Sequence, residues 1–187
     1  MAELPVRNDK ELREYYKTDC ENWFSEWEMQ FIAEDSSPIN YSFGLNWYEE
    51  IYTGVSQQSA NTICLYQSTD GFYGGAHPIG GTQYMVFELP GANRIKNWQE
   101  LFTDTVAVLK MAEDIFRKDK NLSSKTPLNE AGYWFNNDKF HLTDNFGLNA
   151  EGIFSLFNQY EIASYAEGPI YISIPQARIK KYLKNPS

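Results

Sequence analysis

The sequence is poor in the residues that build most active sites. Only two histidines, His77 and His141, occur among 187 residues, and they form no HxH, HxxxH or HExxH pair. That argues against a metal centre carried by a local motif. The two cysteines, Cys20 and Cys64, lack zinc or redox spacing. They either pair or stay free as small buried hydrophobes. There is no G-x-S-x-G elbow, no P-loop and no G-x-G-x-x-G between a strand and a helix, so the common nucleophile-elbow and nucleotide signatures are missing. Positive charge is short too, with 16 Lys and Arg against 25 Asp and Glu, net −9. Nucleic acids and anionic membrane surfaces need clustered cations and are disfavoured; a basic protein partner is compatible. No stretch approaches the ~20 apolar residues of a membrane-spanning helix. The N-terminal MAELPVRNDKELREYY has no apolar core of a signal peptide. The chain reads as cytosolic, or as exported with its leader removed.

Aromatic residues, by contrast, are abundant: 13 Tyr, 12 Phe and 5 Trp, or 16% of the chain. The length suits one domain with a helical arm and allows a core without metal or disulfide staples. Residues 8–32 have helical spacing, with Tyr16, Cys20, Trp23, Trp27 and Phe31 on one stripe and Asn8 with Glu11 as a capping pair. Residues 39–53 and 61–69 read as a hairpin, and 82–89 as a third strand. Trp98–Phe102 reads as a short helix. Asp104 or Thr103 caps a helix to about Lys118, whose buried face includes Val106, Leu109, Met111, Ala112, Ile115 and Phe116. A polar connector follows. Strands are expected at 133–135, 139–143, 152–157 and 169–174, and a short helix closes the chain at 176–183. The pattern predicts an α+β fold, a mainly antiparallel curved sheet with the central helix on one face, plus the N-terminal helix. The expected division is a helical arm over 1–38 and an α+β domain over 39–187.

Residues 71–80 read GFYGGAHPIG, and five of the ten are Gly or Pro. Pro78 pushes His77 out of the helical region, while Gly74 and Gly75 permit positive φ or close backbone approach. The stretch is a preset turn between two strands. A catalytic His77 needs a nucleophile or an acid brought by the fold; otherwise it bonds to its own loop. Asp70, Asp138, Asp144, Glu151, Glu161 and Glu167 supply carboxylates, and a glycosidase needs two of them across a cleft.

Tyr73-Gly74-Gly75-Ala76-His77-Pro78 resembles the Y-x-GGAH-P/G signature of the domain-of-unknown-function 3298 family (DUF3298). Trp98-Gln99-Glu100-Leu101-Phe102 is similar to the family's L-x-D-L-F. Phe140-His141-Leu142-Thr143-Asp144 resembles its F-y-l-t-d strand, and residues 158–169, NQYEIASYAEGP, its N-x-Y-E-I-A-x-Y-A-x-G-P. Ile174-Pro175 matches its closing I-P. The resemblance covers roughly 60–183, and 39–60 resembles the end of a DUF4163-like companion segment; the first helix departs from the pattern.

The resemblance implies an extracytoplasmic bacterial domain, periplasmic or at the cell surface, often on a lipoprotein. Members include the extracellular part of RsiV-type anti-sigma factors, which senses lysozyme by binding it. Another relative carries the domain beside a peptidoglycan deacetylase module whose metal histidines have no equivalent here. The expectation is a binding or sensing module without catalysis, metal or cofactor, for a basic extracellular protein such as lysozyme or for cell-wall glycan. Phe72, Tyr73, His77 and Tyr165 are its candidate contacts. Gly74, Gly75, Pro78, Gly168 and Pro169 shape the turns beneath. The alternative is a cell-envelope glycan hydrolase using a carboxylate pair, or His77 with an acid; a spacer domain is a third reading. Titratable groups converging in a deep pocket favour the hydrolase, and isolated aromatic and acidic side chains favour binding. Melting curves with and without EDTA are expected to superimpose. Stoichiometric zinc whose removal lowers the melting temperature overturns this reading of His77 and His141.

Overall fold

Short turns cut residues 48–95 into four strands. The computed structural model describes Glu14, Thr18, Asn22 and residues 48–73 and 77–184. The chain divides into two units, Met1–Leu45 and Asn46–Ser187. Glu14, Thr18 and Asn22 are helical and exposed; the aromatic stripe expected over 8–32 and the strand start expected at 39–47 lie outside the described residues, as do Gly74 and Gly75. In the second unit β1 (Tyr48–Gln58), β2 (Thr62–Phe72), β3 (Ile79–Glu88) and β4 (Asn93–Ile95) form an antiparallel meander in that spatial order. The β1–β2 connection is tight because the Ser59 hydroxyl accepts the Asn61 and Thr62 N–H groups at 3.2 and 3.0 Å. A bulge shifts the β1 register between Val55 and Gln57. Cys64, Val86 and Ile95 form one buried cross-strand row, and burial pushes the Cys64 thiol above its ordinary range.

A second antiparallel sheet holds β5 (Phe146–Asn149), β6 (Gly152–Phe157) and β7 (Ile170–Pro175), in the order β5-β6-β7. In β7 the period of two is strict: Ile170, Ile172 and Ile174 are buried, while Tyr171, Ser173 and Pro175 are exposed. Helix α1 (Thr105–Asp119) packs against β7. The Asp104 carboxylate accepts the Ala107 N–H at 2.9 Å as its cap. Val108, Ala112 and Phe116, spaced by four, are its buried positions. Arg117 donates to the Ser123 and Thr126 carbonyls at 3.0 and 2.8 Å, which ties the polar connector to the helix. The chain closes with one helical turn, α2 (Gln176–Ile179), and Leu183 bridges back to Phe102.

The arrangement is α+β with antiparallel sheets, and three expectations are corrected. The strands make two sheets rather than one curved sheet, because β3 ends its ladder on the three-residue β4. Residues 133–135 and 139–143 are not strands. Asn137 and Asp138 take φ of 55° and 56° and fold the chain back, so Tyr133, Phe135 and Phe140 pack around Phe116 at ring separations of 5.0–5.7 Å without a ladder. Val106 is 77% exposed and lies off the buried face.

The two sheets meet through side chains that take the place of a strand. Beyond β4, the outer edge of β3 offers Thr82 and Tyr84. Asn145 is 6% exposed; its carboxamide oxygen accepts the Tyr84 N–H at 2.8 Å and its NH₂ donates to the Thr82 carbonyl at 2.7 Å. The Asn158 oxygen accepts the Thr82 N–H at 2.8 Å. Reciprocally, the Leu148 N–H in β5 donates to the Cys64 sulfur at 3.4 Å, and the Leu148 carbonyl accepts the Ser56 hydroxyl at 3.4 Å. Replacing Asn145 by Ala leaves the Tyr84 N–H unpaired and removes one of the two donors to the Thr82 carbonyl, Asn158 keeping the other. Urea unfolding of Asn145→Ala is expected to show a loss of about 1–3 kcal/mol; a loss within error of zero overturns this account of the junction.

Candidate functional site

The Gly80-Gly81 pair, just after the 71–80 turn, borders a cleft. A Cβ at Gly80 would stand 2.6 Å from the Thr69 carbonyl oxygen, and one at Gly81 would stand 3.3 Å from the Asn158 side chain. Both glycines line a cavity of about 210 Å³ between the β2–β3 face and the 158–171 segment. Its floor carries the Ser68 and Thr82 hydroxyls, which face each other across the ladder and hydrogen-bond at 2.7 Å. Asn158, Gln159, Tyr165 and Tyr171 line the other side. Asp70 is, among the described residues, the one carboxylate of the lining; it accepts the Tyr48 hydroxyl at 2.9 Å.

His77 stands beside the cleft, exposed, on the residue preceding Pro78, which lines it. The Pro78 carbonyl can only accept, so at 2.8 Å the His77 Nδ1 carries the proton. Nε2 hydrogen-bonds with the Tyr160 hydroxyl at 3.4 Å. The imidazole stacks on Tyr165 with centroids 4.2 Å apart and planes 25° apart, and Tyr160 lies 5.5 Å from Tyr165. The stretch around His77 and the 158–169 segment thus meet in an aromatic stack. Tyr160 reaches it from a backbone with φ 67°, and Gly168, at φ 68° with open space around it, turns the chain into Pro169 and β7. Among the described residues no carboxylate hydrogen-bonds to His77, and none joins it to His141, which packs edge-on against Phe135 and Phe157. No group of three metal-ligating side chains occurs among the described residues.

The other expected contacts are placed differently. Tyr73 is half-buried; its ring covers Gly71 and its hydroxyl donates to Glu49 at 2.7 Å. Phe72 is half-buried at the end of β2, opposite Tyr48. Tyr171 and the Ser68–Thr82 pair are cleft residues that motif reading passes over. The available signal was the second glycine pair, Gly80-Gly81, whose purpose is spatial.

A file of rings approaches the cleft. Tyr52, Tyr66 and Tyr84 succeed one another across β1, β2 and β3 at 6.0 and 6.2 Å, then Phe154 at 4.7 Å and Tyr171 at 5.8 Å. Tyr66 lies over Gly54, where a Cβ would come within 2.7 Å of the ring. Burial, and then a hydrogen bond with Tyr171, hold the Tyr84 phenol well above its usual range. Charge is distributed unevenly. Residues 46–187 hold twelve Lys and Arg and fifteen Asp and Glu, net −3, so the first 45 residues carry −6 of the total. Residues 18–93, which include β1, β2 and β3, contain no Lys or Arg.

The family model described as protein of unknown function (DUF3298) matches residues 99–177. The match begins after the 71–80 turn and takes in the 158–169 segment. A solved DUF3298 family member from Bacteroides fragilis NCTC 9343 is similar over 98% of this chain and 72% of its own, with TM-score 0.77 and 23% identity. A DUF3298 family protein from Pseudomonas aeruginosa PAO1 is similar over 84% and 68%, with TM-score 0.59 and 18% identity. These likenesses are of fold. No curated protein matches the chain.

Stacking on Tyr165 shields the face of the His77 ring. In NMR spectra, Tyr165→Ala is expected to move the His77 ring resonances downfield and to leave those of His141 in place. Unmoved His77 signals overturn the stack.

Proposed function

We propose that this chain is a non-catalytic binding module of the bacterial cell envelope, working outside the cytoplasm. Its ligand surface is the cleft together with the adjoining turn. The observation that carries the reading is the charge of this end of the sheet. Glu49, Glu50 and Asp70 lie beside the turn, and no Lys or Arg occurs between residues 18 and 93. Such a surface repels anions and accepts neutral or cationic partners. Both ligand classes implied by the resemblance meet that condition: a basic extracellular protein of the lysozyme class, as for RsiV-type anti-sigma factors, and cell-wall glycan. A lipoprotein or membrane-anchored context belongs to the same reading. The hydrolase alternative is weaker. Among the described residues Asp70 has no second carboxylate in the cleft lining, and both nitrogens of His77 are engaged by Pro78 and Tyr160.

Titration of the full chain with a hen-type lysozyme at low and moderate salt, and co-sedimentation with purified peptidoglycan, test this. Binding to at least one is expected, with lysozyme affinity falling as salt rises and a few-fold weaker for Glu49→Gln/Glu50→Gln. Absence of both interactions at low salt overturns the reading. Release of soluble saccharide from peptidoglycan by the chain alone overturns the non-catalytic part.

A further inference from the structure

Resting on that binding reading, we infer that the cleft itself is a subsite for one uncharged pyranose unit of a glycan chain. Its size comes first. At about 210 Å³ it is smaller than the ~300–1,000 Å³ of sites for drug-sized ligands. It holds one ring. Asp70, Pro78 and Tyr171 at its margin are exposed, so a chain can enter and leave.

Chemistry comes second. Ser68, Thr82, Asn158 and Gln159 bring hydroxyls and carboxamides, which both donate and accept. Among the described residues no side-chain hydrogen bond engages Gln159, while Asn158 is spent holding Thr82. Asp70 adds an acceptor that is already oriented by Tyr48. A set that donates and accepts matches a ligand whose every substituent is a hydroxyl or an amide. A guanidinium or ammonium group only donates and would leave the Gln159 NH₂ unmatched. A phosphate or carboxylate would meet Asp70 with no cation among the described lining residues.

Third are the rings. Tyr171, 48% exposed, and Tyr165 flank the cavity. Tyrosine presents an apolar face and a polar tip, which suits a sugar ring with its C–H face on one side and its hydroxyls at the edge. Tyr52, 65% exposed, stands in the same cross-strand row as the floor pair Ser68 and Thr82, so aromatic surface continues beyond the one-ring cavity.

The test is titration of the isotope-labelled full chain with an uncharged N-acetylglucosamine tetramer, and in parallel with an acidic uronate tetramer and with hen-type lysozyme. The neutral tetramer is expected to shift amide signals of Ser68, Thr82 and Gln159 saturably, and the uronate tetramer to leave them unmoved. Tyr171→Ala and, separately, Gln159→Ala are expected to weaken neutral binding by about tenfold with melting temperatures near wild type; Trp134→Ala, an exposed residue outside the cleft lining, is expected to bind as wild type. No saturable shift from the neutral tetramer overturns the inference. If lysozyme still binds in that case, the binding reading stands and the cleft belongs to a protein contact. Equal shifts from the uronate tetramer, or binding unaffected by both cleft variants, also overturn it.

Discussion

The second unit depends on two asparagine side chains standing in for a β-strand. A carboxamide has the same C=O and N–H pair as a peptide group, so it can complete a ladder where no strand fits. Asn145 precedes β5 and Asn158 follows β6, at one end of the second sheet, and together they take up the Thr82 and Tyr84 backbone groups. An unpaired backbone group buried at that edge would cost roughly 1–3 kcal/mol. The reciprocal bonds from Leu148 to Cys64 and Ser56 show the same device from the other side. Bonding by side chains holds the sheets in register while leaving more room than a bonded strand would, and the cleft occupies part of that room.

Several features that look unrelated in the chain serve this geometry. Glycines stand where aromatic rings or the opposing segment come close: Gly54 under Tyr66, Gly71 under Tyr73, Gly81 facing Asn158. The hydroxyl pair Ser68–Thr82 lies beside the edge that Asn158 closes, so one residue, Thr82, is shared by the sheet junction and the cleft floor. The His77 stack on Tyr165 joins the β2–β3 turn to the segment before β7. Such a preset surface loses little conformational freedom when a ligand docks.

Much of the local structure was legible. GIFSLF and its flanking turn residues mark the strand at 152–157, and the alternation in PIYISI marks β7. The hairpin of β1 and β2 was visible from its polar turn, although β1 runs further into that turn than composition suggests. At residues 133–143 legibility failed for a definite reason. Aromatic enrichment signals burial as readily as strand, and the left-handed Asn137 and Asp138 convert those rings to core without pairing. The count of sheets was hidden as well, because strand propensity says nothing about which edges meet. Of the candidate site, the importance of the 71–80 turn and of the 158–169 segment could be read from their residues; that His77 of the first stacks on Tyr165 of the second could not.

The sequence by itself determined what is local or summed: the cation-free run of residues 18–93, the backbone restriction Pro78 places on His77, the strict apolar period of β7, and the lack of a motif for nucleotide, metal or nucleophile. These follow from covalent geometry, side-chain charge and the two-residue repeat of a strand, none of which needs a partner far along the chain. Only the tertiary structure decided that Asn145 and Asn158 complete β3, that Gly80-Gly81 lines a cleft, and that Tyr171 and Asp70 border it. Each of these joins groups dozens of residues apart. Such contacts are set by how two sheets pack, and packing depends on the whole core at once.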